Sequence, residues 1–173
     1  YQALSNTKFK NNVVPFINGE EEKTEAEPTK IFGAIEGNKI INNVNFNINA
    51  TCTRVPIIDG HTAVVSISFS RKKPSIIDFK EILRSYISLP QNLNLPSAPI
   101  KPIHILDDKD RPQPKLDLKN DKGMALSIGR IQKDLFFDLR FIGLSHNTLR
   151  GAAGGAILNA ELLVEKDYIS SKN

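Results

Sequence analysis

The segment C-T-R-V-P-I-I-D-G-H-T, residues 52–62, constrains the fold more than any other part of the chain. Pro56 excludes a continuous helix, because it has a fixed φ and no backbone N–H. Gly60 permits a bend, and residues 62–69 then read as a clean strand. Residues 37–49 alternate polar and apolar side chains, which is typical of a half-buried strand, and the run 44–53 reads as extended up to Arg54. The segment therefore predicts two strands with a bend between them.

Arg54 and His61 occupy the ends of these two predicted strands. A guanidinium can hold a carboxylate through two parallel hydrogen bonds, and an imidazole exchanges protons near neutral pH. The pair suits binding and acid-base chemistry on an anionic substrate. The spacing alone also fits an arginine that ties down a loop and a histidine that caps a strand.

Length and charge exclude several classes of protein. A chain of 173 residues can bury one core, and is too short for a dinucleotide-binding domain plus a full substrate domain. The net charge is +4, but lysine and arginine are scattered among acidic residues, so we expect no nucleic-acid partner. No apolar run approaches the roughly 18 residues that span a bilayer, and we expect a soluble protein with no membrane partner.

The termini and the single cysteine carry little further information. Cys52 is the only cysteine, so no internal disulfide can form. Because the first residue is Tyr1 rather than methionine, we expect the natural start to lie upstream, where a targeting segment would not be visible.

The remaining pattern alternates helices and strands. Asn18-Gly19 marks the start of a helix that Pro28 should kink or end. Ser75 and Asp78 have the spacing of a capping box. The helix that follows places its apolar residues at helical spacing, on Ile76, Phe79, Ile82, Leu83 and Tyr86.

The C-terminal half is predicted to complete the sheet. Residues 89–102 carry four prolines and read as an extended connector. Strands are expected at 103–106, 123–131 and 135–145, and a helix from His146 to about residue 166. His104 is interpreted as structural, since no second ligand is spaced to complete a metal site, and we expect no metal.

Several motifs in this order resemble aspartate-semialdehyde dehydrogenases of the archaeal and fungal type. They are Y-Q-A-L-S at 1–5, G-E-E-E-K at 19–23, C-T-R-V-P-I-I-D-G-H-T at 52–62, D-R-P-Q-P-K-L-D at 110–117 and H-N-T-L-R-G-A-A-G at 146–154. The chain departs from the family pattern after Ser5, where a glycine-rich loop is usual. Related acyl-CoA reductases, such as malonyl-CoA reductase, share the R-G-A-A-G helix and remain an alternative, as does a noncatalytic dimerisation fragment.

The resemblance implies an α+β fold, similar to the C-terminal domain of glyceraldehyde-3-phosphate dehydrogenase, with a mixed or antiparallel sheet covered by helices. Residues 1–145 would form a substrate-binding and dimerisation domain. Residues 146–173 would form a C-terminal helix that packs on a dinucleotide-binding domain absent from the chain. A homodimer or a dimer of dimers is expected, in the cytoplasm.

The resemblance also implies a role for particular residues. His61 would transfer the proton and Gln2 would orient the substrate. Arg54 would bind the substrate carboxylate. The remaining assignments are Glu20 for the substrate ammonium, Lys23 for phosphate and Asn147 for the nicotinamide amide of NADP.

The implied reaction is NADPH-dependent reduction of aspartyl phosphate to aspartate semialdehyde and phosphate, in the biosynthesis of lysine, threonine and methionine. The family's nucleophile lies upstream of the Y-Q-A-L-S strand, so Cys52 is not expected to attack the substrate. The chain alone should therefore be inactive.

Overall fold

A computed structural model describes residues 11–170. The chain divides into two compact units, Tyr1–Ile58 and Asp59–Asn173. Each unit is presented separately below. In residues 11–170, no helix is both long and apolar enough to cross a membrane.

The first unit is built around helix α1, Glu20–Ile31. Gly19 precedes it with φ 75°, a left-handed conformation that glycine adopts without steric cost. Three glutamates occupy the first turn, where they complement the positive end of the helix dipole. Pro28 lies inside the helix, which continues to Ile31. The predicted start is confirmed, but Pro28 does not end the helix.

A β-hairpin follows α1, and the sequence analysis did not predict it. Strand β1, Ala34–Glu36, pairs antiparallel with strand β2, Lys39–Ile41. Gly37 begins the two-residue turn with φ 59°. A Gly-Asn turn between short apolar runs is a known hairpin signal.

The predicted strand at 44–53 is wrong for the described part of the chain. The structure gives this stretch no strand, and Val44 is 82% exposed. The N–H groups of Ala50 and Cys52 bond instead to glutamate side chains of α1, and that of Asn45 bonds to the Asn43 side chain. Only Arg54 pairs with a neighbouring backbone, in an isolated antiparallel bridge with Val14.

The second unit contains a mixed four-stranded sheet. In chain order its strands are β3 (His61–Ile67), β4 (Ile103–Leu106), β5 (Leu126–Lys133) and β6 (Leu139–Ser145). Their spatial order is β3-β6-β5-β4, and β6 is antiparallel to both of its neighbours. Strands β4 and β5 run parallel. The α+β class and the predicted mixed sheet are confirmed.

Helix α2, Ile76–Arg84, begins with the predicted capping box. Ser75 Oγ accepts from the Asp78 N–H at 3.1 Å, and the Asp78 carboxylate accepts from the Ser75 N–H at 3.3 Å. The helix packs on the sheet through Phe79, whose ring meets that of Phe141 at 5.9 Å between centroids.

The predicted packing face of α2 is only partly correct. Ile76, Phe79 and Leu83 are half-buried, whereas Ile82 is 58% exposed and Tyr86 is 50% exposed. The two exposed residues lie at one edge of the apolar stripe.

Helix α5 closes the second unit. The helices between α2 and α5 are single turns, α3 (Leu89–Asn92), which interrupts the predicted extended connector, and α4 (Pro114–Asp117). A π-helical turn, Leu149–Ala153, leads into α5, Gly154–Glu165. Leu158 of α5 packs with Leu95 and Met124 in a small buried cluster.

The loop before α4 is held by one ion pair. Arg111 donates through Nε to Asp117 at 2.8 Å, and its Nη2 bonds the other carboxylate oxygen. The Gln113 N–H adds a third bond to this carboxylate, at 2.6 Å. The hydrogen bond from Arg111 is the main cause that holds the pKa of Asp117 below its usual value. The Gln113 N–H lowers this pKa further, whereas burial of the carboxyl raises it. The arginine and the last aspartate of the D-R-P-Q-P-K-L-D motif therefore hold this loop together.

Candidate functional site

Arg54 presents an unpaired guanidinium on a fixed backbone. Its N–H donates to the Val14 carbonyl at 2.8 Å, and its carbonyl accepts from the Val14 N–H at 3.0 Å. The side chain is exposed, and it makes no ion pair with any residue in 11–170. A fork held only by its backbone is available for an external carboxylate.

The backbone that carries Arg54 is attached to α1 by two carboxylates. Glu21 accepts from the Cys52 N–H at 2.8 Å, and Glu25 accepts from the Ala50 N–H at 2.8 Å. The two glutamates are four residues apart and so lie on one face of the helix. We call residues 50–54 the arginine segment.

Glu20 and Lys23 share a neighbouring face of α1. Their charged groups are 4.0 Å apart, and both side chains are about half exposed, so the pair contributes little to stability. Because Glu21 is engaged by the arginine segment, it is not available for an external ammonium as Glu20 is. The bond pattern therefore favours Glu20 over Glu21 as the ammonium-binding residue.

His61 is the first residue of β3, as predicted, and lies opposite Ser145 of β6. Its side chain is exposed, and within the described residues its ring makes no hydrogen bond. An exposed imidazole on a fixed strand backbone suits proton transfer to a bound molecule.

Asn147 is hydrogen-bonded to the residue that precedes His61. Its Oδ1 accepts from the Gly60 N–H at 3.0 Å. Gly60 has φ 119°, a conformation that other residues rarely adopt. A Cβ there would also come within 3.2 Å of Leu118 and 3.3 Å of Leu144. The fold thus brings together two motifs that are 87 residues apart in the chain.

His146 organises the turn that follows Asn147. Its Nδ1 accepts from the N–H groups of Thr148 and Leu149, at 3.2 and 3.3 Å. These are backbone donors at the start of a helical segment, which would otherwise lack partners. His146 is therefore a cap that orients the chain around Asn147.

The other candidate groups have structural partners. His104 Nε2 bonds Asp121, whose other carboxylate oxygen accepts from the Ile100 N–H at 3.1 Å. Cys52 is partly buried, and its Sγ lies 4.0 Å from Thr24 Oγ1. Residues 11–170 contain no group of three or more side chains that could hold a metal ion.

The predicted residues fall into separate groups. Glu20, Lys23 and Arg54 belong to the first unit, whereas His61 and Asn147 belong to the second. Gln2 lies outside the described residues, so its assignment stays a prediction. The sequence analysis missed the contacts of Glu21 and Glu25, although the i, i+4 spacing of acids on one helix face was a usable signal.

Comparison with known proteins agrees on one family. The family model described as semialdehyde dehydrogenase, dimerisation domain, matches residues 2–150. Aspartate-semialdehyde dehydrogenase from Schizosaccharomyces pombe is 46% identical over 172 residues, covering 96% of this chain and 47% of that protein. The enzyme of the same name from Archaeoglobus fulgidus is 43% identical and covers 98% of this chain and 48% of that protein.

Solved structures agree with these relatives. The crystal structure of aspartate semialdehyde dehydrogenase with NADP from Candida albicans superposes with a TM-score of 0.87 at 42% identity, covering 97% of this chain and 49% of that one. A Vibrio cholerae aspartate semialdehyde dehydrogenase II matches the fold with a TM-score of 0.71, at 24% identity, covering 91% of this chain and 42% of that one. This chain thus spans about half the length of the proteins it matches. It belongs to the semialdehyde dehydrogenase family, and its residues 2–150 match that family's dimerisation domain.

Proposed function

We propose that the chain is the substrate-binding and dimerisation portion of an aspartate-semialdehyde dehydrogenase that reduces aspartyl phosphate with NADPH. The proposal rests most directly on the exposed imidazole of His61, whose neighbouring peptide is bound by Asn147. The segments D-G-H-T, residues 59–62, and H-N-T, residues 146–148, meet at this hydrogen bond. The identity of 46% to a named relative supports the same reaction.

The side chains match the charges of the proposed substrate. Aspartyl phosphate carries a carboxylate, an ammonium and an acyl phosphate. Arg54 would bind the carboxylate, Glu20 the ammonium and Lys23 the phosphate, because each offers the opposite charge. His61 would move the proton as general acid and base, and Gln2 would orient the substrate.

Asn147 fits a contact with the nicotinamide of NADP, the cofactor named for the Candida albicans structure. Since Oδ1 already accepts from Gly60, the Nδ2 group supplies the donors for a carbonyl of the cofactor. NADP would supply hydride transfer, while the residues of this chain bind and orient the substrate.

In this proposal, other parts of the complete protein supply the nucleophile and the dinucleotide-binding domain. The thiol nucleophile would come from outside these 173 residues, as the family resemblance implies, and the chain's single thiol, Cys52, is partly buried with its Sγ 4.0 Å from Thr24 Oγ1. The isolated chain would then form a dimer without turnover, and the complete enzyme would be a homodimer or a dimer of dimers in the cytoplasm. The C-terminal helix, within 146–173, would pack on the dinucleotide-binding domain.

The decisive experiment uses the complete protein. Phosphate-dependent reduction of NADP with aspartate semialdehyde is measured for the wild type, His61→Asn and the control His104→Asn. We expect clear wild-type activity and a loss of about a hundredfold or more in His61→Asn. His104→Asn should keep its kcat, since its ring contacts Asp121. An inactive wild type that turns over a CoA thioester would refute the proposal.

Two measurements test the isolated 173-residue chain. Sedimentation at micromolar concentration should give a dimer, and the activity assay should give no turnover. A circular dichroism spectrum with helix and sheet signals separates an inactive folded chain from an unfolded one. Turnover by the folded chain would show that it contains its own nucleophile.

A further inference from the structure

We infer that Asn147 is a positioning residue for His61, in addition to any contact with cofactor. This inference rests on the proposed function, because it concerns how that reaction's proton-transfer group is held. The observation behind it is the 3.0 Å hydrogen bond from the Gly60 N–H to Asn147 Oδ1.

Gly60, directly before His61, is held in place by its surroundings. Gly60 adopts φ 119°, where it is poorly restrained by its own sterics because glycine has many accessible conformations. The contacts that restrain it come from its surroundings. Leu118 and Leu144 close off the space beside its Cα, and Asn147 takes its N–H. The peptide is thus held from two sides.

The Gly60 peptide helps to set the position of the His61 side chain. His61 begins β3, and its register opposite Ser145 is set by the sheet. The strand orders the backbone on the C-terminal side of His61. On its N-terminal side, the bond from the Gly60 N–H to Asn147 anchors the backbone. Loss of that bond frees the bend and lets the imidazole sample other directions.

Asn147 has a well-supported backbone. It follows Ser145, the last residue of β6 and the partner of His61, by two residues. His146 caps the turn that comes next, with its Nδ1 accepting from Thr148 and Leu149. Asn147 is therefore held between the end of a central strand and a capped helical turn. A side chain on such a rigid support can fix the geometry of another group.

The inference divides the amide of Asn147 into two roles. Oδ1 holds the proton-transfer residue, and Nδ2 remains for the cofactor. One side chain would then set the relative position of the imidazole and the nicotinamide. Misplacement of a reacting group by about 1 Å can cost about a hundredfold in rate, so such coupling matters for catalysis.

The test is a double-mutant cycle in the complete enzyme. Asn147→Ala, His61→Asn and the double variant are compared by kcat for reduction of NADP with aspartate semialdehyde. We expect Asn147→Ala to lose about ten- to a hundredfold in kcat, and the double variant to lose no more than His61→Asn alone. Additive losses would overturn the inference, because Asn147 would then act independently of His61.

Asn147→Asp separates the two roles of the amide. It keeps the acceptor for Gly60 but lacks the Nδ2 donors, so exchange of the Gly60 amide should stay near the wild-type rate while the KM for NADP rises. If the Gly60 amide exchanges as fast in Asn147→Asp as in Asn147→Ala, the acceptor is not what holds this peptide and the inference fails.

Two controls keep the result interpretable. Leu95→Ala removes a buried side chain of the second unit and should lower Tm without lowering kcat, which separates destabilisation from positioning. Hydrogen exchange of the Gly60 amide reports the contact without any substrate, and it should speed up at least tenfold in Asn147→Ala but not in Asn147→Asp. Unchanged exchange in Asn147→Ala would overturn the inference.

The failures are distinguishable. A wild-type enzyme without activity on aspartate semialdehyde refutes the proposed function. An active wild type in which Asn147→Ala retains full kcat refutes only the positioning role.

Discussion

Removing the Glu21 carboxylate should release the arginine segment from α1. Glu21 accepts from the Cys52 N–H at 2.8 Å, two residues before Arg54. A hydrogen bond to a charged group is worth about 1.5–3 kcal/mol. This site is only partly buried, so we take the lower half of that range, about 1.5–2 kcal/mol, for Glu21→Ala.

The free energy lost in Glu21→Ala should affect amide exchange of the arginine segment more than it affects substrate binding. A loss of about 1.5–2 kcal/mol raises the population of the open segment about 10- to 30-fold. Amide exchange of residues 50–54 should accelerate by that factor. The KM for substrate rises only when the open state becomes a major population, so we expect a smaller increase, of about two- to fivefold.

The assay combines hydrogen exchange of residues 50–54 with steady-state kinetics of the complete enzyme. Glu22→Ala is the matched control, because Glu22 is the next residue of α1, is exposed and makes no side-chain hydrogen bond within the described residues. Equal exchange rates in the two variants would refute the reasoning. So would a fall in kcat with KM unchanged, because Arg54 is proposed to bind substrate rather than to react.

Three further predictions concern other residues. Arg54→Lys keeps the charge but loses the two-pronged fork, so the KM for aspartate semialdehyde should rise about tenfold or more in steady-state kinetics, and an unchanged KM would contradict a carboxylate contact. Asp117→Asn should lower the free energy of unfolding at pH 7 by about 2–3 kcal/mol in urea denaturation, because it breaks a buried pair with Arg111. Since the pKa of Asp117 is lowered in the folded state, this stability is present above the unfolded value of about 3.9 and is lost as pH falls through the folded pKa. The difference from wild type should therefore shrink below about pH 4, and a constant difference from pH 7 to pH 3 would contradict the assignment. Ser75→Ala should cost about 1 kcal/mol in thermal unfolding, because it removes the acceptor for Asp78 N–H, whereas Ser75→Asp should cost much less.

The sequence by itself determined the elements whose causes are local. Ser75 and Asp78 set the start of α2 through hydrogen bonds within one turn. Gly19 marks the start of α1 because glycine adopts φ 75° without steric cost. His61 was expected to open a strand and does so. The sequence motifs at 52–62 and 146–154 identified the family because they are long and specific.

Only the tertiary structure decided where long-range partners lie. Residues 44–53 were predicted to be extended, yet the N–H groups of Ala50 and Cys52 bond to glutamates of α1. The alternation of side chains does not indicate which acceptor lies nearby. The bond between Gly60 and Asn147 joins positions 87 apart, and its existence depends on the pairing of β3 with β6. Periodicity reports which face of an element is apolar. It does not report which element will supply a hydrogen-bond partner, because that depends on how the whole chain packs.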